Sequence, residues 1–309
     1  MPQRADPTSM VSSPGAIIMT ASSVSPSVQL VADLHTHTTC SDGVLSPIEL
    51  VAKAESKGFS ALAITDHDNM DAYRHLHSGG YNGSVELIPG VEISCHDFGR
   101  EVHMLAYFLD HNNEEVRSYE KFYREDRVRR AQEMVENLKA CRVNISLQEV
   151  LDEANGATVG RPHVAAILVR KHVVSSIQQA FDVYLDVGKP GYSAKTPFPI
   201  AKAVEMVHRA GGLMAVAHPG RFFTNSETCL NLIKTGIDAI EVFHPSHWFV
   251  TREFYRVLCL QHQLLVTGGS DFHGSRDYDE QNFGVFGVTQ SALNHLIERR
   301  DSIRKSLPV

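Results

Sequence analysis

Short runs of apolar, β-branched residues alternate with amphipathic stretches in two parts of the chain, and this alternation predicts strands followed by helices. The predicted strands cover 28–34, 60–65, 85–88, 102–108, 213–217, 239–243 and 264–267. The helices predicted between them cover 47–57, 71–77, 199–210, 227–234 and 251–262. A strand-then-helix repeat predicts a mostly parallel sheet with helices packed outside it.

The region 112–198 breaks this pattern, because strands vanish there and long polar helical periods replace them. The helices predicted in this region cover 114–141, 147–154, 162–171 and 176–187. We therefore expect an α/β barrel built from 28–111 and 199–309, with 112–198 inserted as a helical cap over the active site.

Residues 1–27 are rich in Ser, Pro, Thr and Ala and have no hydrophobic period, which is typical of a disordered leader. No apolar run in the chain approaches the ~18 residues that a membrane span requires. We therefore expect no membrane partner.

Charge and composition exclude some classes of partner and indicate metal binding. The 309 residues carry a formal charge of -7, which argues against a phosphate-coating surface and so against duplex DNA as a partner. The five cysteines are scattered without a C-x-x-C pair, so a disulfide framework is excluded and a reducing cytoplasm is favoured. The 17 histidines stand out, since histidine is the commonest metal ligand in proteins.

The first strand runs out into His35-Thr36-His37. Residues two apart on a strand point to the same side, so both imidazoles can address one cation. This spacing alone is a weak signal, because two histidines at a strand end also occur without any ligand.

Further ligand-type residues recur around the ends of the later strands. Glu92 is expected just beyond the strand 85–88, and His103 lies early in the strand that follows. Since the ends of parallel barrel strands converge on one mouth, we expect nine side chains in one cavity. The set is His35, His37, Asp42, His67, Glu92, His103, His218, Asp271 and His273.

Any one of the nine could be a capping or hydrogen-bonded residue, and Asp42 before Gly43 could simply be a turn residue. The complete set favours a metal centre. Six imidazoles and three carboxylates without cysteine suit Mn, Fe or Zn, and nine ligands exceed what one ion takes.

The strings DLHTHTTCSDG, ALAITDHDN, LIPGVEIS, AHPG and GSDFH resemble those of the polymerase and histidinol phosphatase (PHP) superfamily. The resemblance implies a distorted (β/α)7 barrel of PHP type, with the helical cap inserted, that holds two to three divalent ions. Mn is the first choice, and Fe or Zn share its ligands.

The same resemblance implies how the nine ligands divide. One ion would take His35, His37, Glu92 and Asp271. The other two ions would take Glu92, His103 and His218 in one case, and Asp42, His67 and His273 in the other.

Within the superfamily, NGATVGRPHVAAILV, YLDVGKPGY and AHPGRF resemble the branch of 3′,5′-nucleoside bisphosphate phosphatases that also act as 5′-to-3′ exoribonucleases. The chain departs from that branch in its leader and at Ser193-Ala194-Lys195, where a Val-Pro pair is expected. The resemblance implies a phosphoesterase that attacks nucleotides, and short 5′-phosphorylated RNA, with a metal-activated hydroxide.

Four residues are candidates for substrate contacts. Arg161 and His163 open a predicted helix, where N–H groups favour an anion, and Arg221 follows the candidate ligand His218 by three residues. His244 directly follows the strand 239–243 and is expected at the same mouth. For Arg161, a solvated position at the start of its helix is the competing interpretation.

Three other functions remain open. The first is a nucleoside monophosphate or histidinol-type phosphatase. The second is an amidohydrolase-like C–N hydrolase, although such enzymes usually bridge their metals with a lysine and Glu92 is the candidate bridge here. The third is a non-catalytic binding module. Neither the oligomeric state nor the native metal follows from the sequence.

Overall fold

The computed structural model describes residues 29–156 and 158–307, so the expected leader 1–27 lies outside it. Its strands are β1 (Ala32–Asp33), β2 (Ala61–Ile64), β3 (Glu86–Asp97), β4 (Arg100–Tyr107), β5 (Leu213–Val216), β6 (Ala239–Phe243) and β7 (Leu265–Gly268). They form one sheet in which the strands neighbour each other in chain order.

The barrel helices are α1 (Pro47–Ser56), α2 (Asp71–Ser78), α7 (Ile200–Arg209), α8 (Ser226–Ile233), α9 (Phe249–His262), α10 (Asp279–Asn282) and α11 (Gln290–Ser306). The region 112–198, which we call the cap, contains α3 (Glu114–Ala140), α4 (Leu147–Ala154), α5 (Arg161–Arg170) and α6 (Ile177–Ala180). No helix in the described part of the chain is long and apolar enough to cross a membrane.

The sheet closes into the expected distorted seven-stranded barrel. The first three strands pair in parallel, and so do the last three. Between these groups, β4 is antiparallel to both β3 and β5. The ring is completed where Leu34 N donates to Gly268 O at 3.2 Å and where Thr36 bridges Phe272.

The third strand is longer than the sequence predicts. The pattern predicts a strand over 85–88, whereas β3 runs from Glu86 to Asp97. Its first part pairs with β2 as far as Pro89, and from Gly90 onward it pairs with β4. A Cβ on Gly90 would lie 3.0 Å from Thr65 Cγ2 and 3.2 Å from Ala106 O, so glycine suits this change of partner. The Pro-Gly step therefore marks an exchange of partners and not the end of the strand.

The first three helices of the cap lie close to where the sequence predicts them. The helix predicted over 114–141 is α3, and the two short helices after it are also confirmed. The last prediction, 176–187, is wrong in its extent, because α6 ends at Ala180 and a single π-helical turn, Phe181–Leu185, follows it. The cap helices share an apolar cluster of their own, which includes Leu138, Val150 and Leu168.

Candidate metal centre

The extension of β1 places two imidazoles in the middle of the barrel. His35 and His37 are fully buried, and Thr36 between them is held by the bridge to Phe272. Next to them the chain comes so close that a Cβ on Gly269 would lie 2.4 Å from His35 Cβ. Gly269, directly after β7, thus lets Asp271 approach, and the Oδ1 of Asp271 lies 3.4 Å from His35 Nε2 and 3.3 Å from His37 Nε2.

Glu92 lies at the centre of the cluster. Its carboxylate contacts five imidazoles at 2.9 to 3.4 Å: those of His35, His37, His67, His103 and His218. Oε1 faces His103 and His218, while Oε2 faces the other three. Contrary to expectation, Glu92 does not follow a strand end but lies inside β3, opposite Leu105 of β4. The pairing of β3 with β4 therefore fixes the backbone position of Glu92, the residue that contacts five imidazoles of the cluster.

A third group of side chains surrounds Asp42. Its Oδ1 lies 3.3 Å from His273 Nε2, and its Oδ2 lies 3.8 Å from His67 Nε2. His37 is the fourth member, since its ring stacks on that of His273 with 4.0 Å between centroids. The structure therefore brings all nine candidate ligands together, and their donor atoms fall into overlapping groups.

The hydrogen-bond pattern of the cluster suits cations. Among the described residues, buried side-chain nitrogen and oxygen atoms without a hydrogen-bond partner concentrate in this cluster. They are His35 Nε2, His37 Nδ1, His37 Nε2, His67 Nδ1, Glu92 Oε2 and His244 Nε2. Buried polar atoms are normally paired, so a group of unpaired ones aimed at each other indicates a ligand between them. Imidazole nitrogens and carboxylate oxygens are suitable donors for divalent metals.

Carboxylates behind the cluster orient its members. Glu241 Oε1 lies 2.9 Å from His35 Nδ1, so in the neutral ring this nitrogen carries the proton and Nε2 offers its lone pair to the centre. Glu241 Oε2 also accepts from His218 N at 2.6 Å. Asp33 accepts from His35 N at 3.1 Å and from Ser270 Oγ at 2.6 Å. These bonds fix both the tautomer and the backbone of the ligand-type residues.

Burial and mutual charge set the ionisation of the cluster. Burial alone disfavours the Glu92 carboxylate, but the imidazoles of His67, His103 and His35 hold its pKa well below the usual range. Burial lowers the pKa of His67 to about 3. For His37 burial is outweighed by the nearby carboxylates of Asp271 and Glu92, which raise its pKa to about 10. The Glu92 carboxylate is therefore ionised, as metal ligation requires, whereas a cation that binds His37 would have to displace its proton.

Two of the candidate ligands have an unusual backbone conformation. His218 has φ 28° and Asp271 has φ 51°, both in the left-handed region that side chains rarely adopt. Such conformations persist only where the surroundings enforce them, and they cluster at functional sites.

Two cavities meet at the cluster. One, of about 620 Å³, is lined by cluster residues together with His244, Arg276, Tyr278 and others. The second, of about 880 Å³, lies between the barrel and the cap, and Asp42 belongs to the walls of both. The second cavity therefore borders the cluster at Asp42.

Comparison with known proteins identifies the family. A family model described as PHP domain matches residues 33–190. The chain is 33% identical over 252 residues to the 5′-3′ exoribonuclease Rnm of Escherichia coli strain K12, covering 79% of this chain and 85% of that relative. The chain belongs to the PHP domain family. The 3′,5′-nucleoside bisphosphate phosphatase of Chromobacterium violaceum is 31% identical over 255 residues, which cover 79% of this chain and 89% of the relative.

Solved structures agree with the PHP assignment. A candidate metal-dependent phosphoesterase from Bifidobacterium adolescentis superimposes with a TM-score of 0.74 at 31% identity, over 87% of this chain and 96% of that one. A second structure, described as an amidohydrolase from Chromobacterium violaceum with bound sulfate and no metal, has a TM-score of 0.75 at 27% identity, with the same coverage of 87% and 96%.

The four residues predicted to contact substrate lie in different places in this PHP domain, and two of them line a cavity at the cluster. His244 is buried in the wall of the first cavity, and its Nε2 lies 3.5 Å from Asp271 Oδ2. His163 lines the second cavity, where its Nδ1 accepts from Gly160 N at 3.0 Å. Arg161 lies 3.8 Å from Asp186 Oδ1 and belongs to neither cavity wall. Arg221 ends the 3-10 turn Pro219–Arg221, and its side chain lies outside what the structure describes.

Three residues of the PHP site escaped the sequence reasoning. Glu241 is a charged residue inside the apolar strand β6, and that exception in the pattern could have revealed it. Arg276 lies in the loop after β7, where no periodicity signals a role. Lys195 of the cap donates to Glu101, whose Oε1 lies 2.9 Å from His103 Nε2. It stands in the segment where the sequence departs from its branch, so that departure was the available signal.

Proposed function

We propose that this PHP phosphoesterase releases phosphate from nucleotides such as 3′,5′-nucleoside bisphosphates and that it accepts short 5′-phosphorylated RNA. The coarser activity, hydrolysis of phosphoester bonds, follows from the family and from the names of the relatives. The observation that carries the proposal is the contact of Glu92 with five imidazoles, among buried donor atoms that lack partners within the described chain.

The nine clustered residues would hold two to three divalent ions, with Mn as the first choice and Fe or Zn sharing the same ligands. Such ions neutralise the phosphate oxygens and lower the pKa of water, which supplies the nucleophile. The chain's own task is to hold its donor atoms in place. Glu92 offers one oxygen to each side of the cluster, and Glu241 holds the His35 ring at Nδ1 so that Nε2 is aimed at the centre.

Substrate contacts in this proposal come from His244, His163, Arg221 and Arg161. The unpartnered Nε2 of His244 lies in the cavity wall beside Asp271, where it can donate a hydrogen bond to a phosphate oxygen. His163 lines the cavity between cap and barrel, which is large enough for a nucleoside. Arg161 would first have to leave Asp186 to contact substrate.

The C–N hydrolase alternative has one comparison in its favour, because one solved structure of this fold is described as an amidohydrolase. No lysine is among the described residues that line the cavity at the cluster, so the lysine bridge typical of that class is not found there. Lys195 of the cap bonds to Glu101 and to Ser94 Oγ. A carboxylate at the central position favours phosphorus chemistry, so the phosphoesterase is the better supported function.

A release assay on the metal-loaded protein tests the proposal. The panel contains a 3′,5′-bisphosphate, the matching 5′-monophosphate, histidinol phosphate, a short 5′-phosphorylated RNA, and an N-acyl amino acid. We expect phosphate release to be fastest from the bisphosphate and measurable from the RNA, and to be abolished by a chelator. Turnover of the amide alone would contradict the proposal. Preference for histidinol phosphate or the monophosphate would replace the substrate class while retaining the reaction.

A further inference from the structure

Arg276 places a guanidinium in the wall of the 620 Å³ cavity, directly beside two candidate ligands. Its Nη1 donates to Asp271 Oδ2 at 2.9 Å and to Asp271 O at 3.2 Å. Its Nη2 lies 3.3 Å from His273 Nε2. Among the described residues that line this cavity, it is the sole lysine or arginine.

The loop around Arg276 is held rigidly. Asp279 is buried, and its Oδ2 accepts from His273 N at 3.2 Å and from Arg276 N at 3.1 Å. These two bonds tie the backbone of the arginine to that of the neighbouring candidate ligand. The guanidinium is therefore kept next to the cluster at little entropic cost when a ligand arrives.

The contacts of Arg276 leave donors available. A guanidinium carries five N–H groups, and no hydrogen bond within the described chain engages Nε. His273 donates through Nδ1 to Asp271 O at 2.8 Å, so its Nε2 is the lone pair that faces Asp42. If that lone pair binds a cation, it no longer accepts from Nη2, and this nitrogen becomes free as well.

Electrostatics favours a further anion beside Arg276, in addition to Asp271. Asp271 already contacts the imidazoles of His35, His37 and His244, so it does not depend on Arg276 for a partner. A guanidinium beside a centre that collects divalent cations is repelled by them. A phosphate placed between the two removes this repulsion, and arginine matches phosphate geometry better than lysine does.

We propose that Arg276 is a catalytic residue that binds the phosphoryl group undergoing hydrolysis. The inference rests on the proposed phosphoesterase function and adds to it a cationic contact from the loop after β7. Because Arg276 touches the ligand-type residues themselves, it reaches the reacting phosphate and not a distant second one. Its loss is therefore felt by every phosphoester substrate, whatever the rest of the molecule.

Kinetics of Arg276→Gln and Arg276→Lys, measured with a nucleotide and with a small chromogenic phosphoester, test the inference. We expect kcat of Arg276→Gln to fall about 10- to 100-fold on both substrates, with partial recovery in Arg276→Lys. Affinity for inorganic phosphate, measured by calorimetry on the metal-loaded protein, should weaken by a similar factor. Arg256→Gln removes an exposed arginine paired with Glu253 and serves as the matched control.

Elemental analysis separates this role from a structural one. Full metal content in Arg276→Gln together with lost kcat supports the inference, whereas loss of metal in that variant overturns it and makes Arg276 a support for Asp271. Unchanged kcat and phosphate affinity also overturn it, while the activity of the parent protein keeps the phosphoesterase proposal standing. An inactive parent protein would instead refute the proposed function, and with it the inference that rests on that function.

Discussion

Arg127 of the cap donates from Nη2 to Asp68 Oδ2 at 2.6 Å, and this pair joins helix α3 to the barrel one residue away from His67. Asp68 also accepts from Ser94 N at 2.8 Å and from Tyr119 OH at 2.6 Å. Both charged side chains are largely buried, with 12% of Arg127 and 1% of Asp68 exposed. The cap is thus attached to the barrel beside the candidate metal centre through a shielded ion pair.

Removing the cation from this pair should destabilise the protein strongly. In Arg127→Met, Asp68 keeps its charge but loses the partner that compensates its burial, so we expect the free energy of unfolding to fall by about 3 to 5 kcal/mol. Urea denaturation measures the change. Arg124→Met is the control, because Arg124 is 64% exposed and should cost at most about 1 kcal/mol. Equal effects in the two variants would contradict the importance of the buried pair.

The same pair predicts a pH dependence. Burial raises the pKa of Asp68, but Arg127 and its other neighbours outweigh this and lower it to about 2, from an ordinary value of 3.8. A carboxyl whose pKa is lowered by folding stabilises the protein above its ordinary pKa and loses this contribution as the pH falls through the folded value. The stability difference between the parent protein and Asp68→Asn should therefore be full at neutral pH and shrink between about pH 4 and pH 2. Denaturation curves at several pH values measure it, and a difference that grows on acidification would contradict the prediction.

Removal of a central donor should remove metal and activity together. We expect His35→Ala and Asp271→Ala each to lose bound metal by elemental analysis and to lose phosphate release, because both side chains lie within 3.4 Å of the facing cluster atoms. His262→Ala, at the exposed end of α9, controls for the loss of a histidine. Stoichiometric metal and full turnover in both site variants would place the centre elsewhere.

The carboxylate behind the cluster gives a separate prediction. In Glu241→Gln, a single amide oxygen faces two groups that both need an acceptor, His35 Nδ1–H and His218 N–H. One of the two is left unpaired, so the imidazole of His35 or the backbone at His218 is no longer fixed. We expect metal affinity, measured by competition with a chelator, to fall about 10- to 100-fold. The exposed substitution Glu298→Gln should leave it unchanged.

The barrel and the ligand set follow from the sequence because both depend on local patterns. Strands such as β2 and β6 are short apolar runs, and six of the nine clustered residues, such as His37 and Asp271, follow shortly after a strand's end. The sequence also identified Glu92 as a candidate ligand, but it did not predict that Glu92 lies inside a long strand. The change of strand partner at Pro89-Gly90 depends on contacts with Thr65 and Ala106, which come from distant parts of the chain.

Side-chain direction was harder to predict than residue identity. Arg161 opens α5 as expected, yet its guanidinium packs over Phe181 and lies near Asp186, because the turn after α6 brings those residues beside it. Arg276 had no periodic signal at all, and its role emerges only from the bonds that Asp279 makes to the loop. Local sequence pattern thus predicts where strands end, whereas tertiary contacts decide which arginine side chains reach the cavity.

The closure of the barrel between Leu34 and Gly268 also determines when the centre can exist during synthesis of the chain. His35 and His37 leave the ribosome early, whereas Asp271 and His273 follow only after the cap and the last strand have been made. Until β7 docks against β1, the early histidines face an open side and lack the carboxylate that completes their group. Long-range closure of this kind is slow, because loop entropy must be lost before the contacts form. Metal loading would therefore report the last step of folding, and nascent chains stalled before β7 would bind these ions weakly.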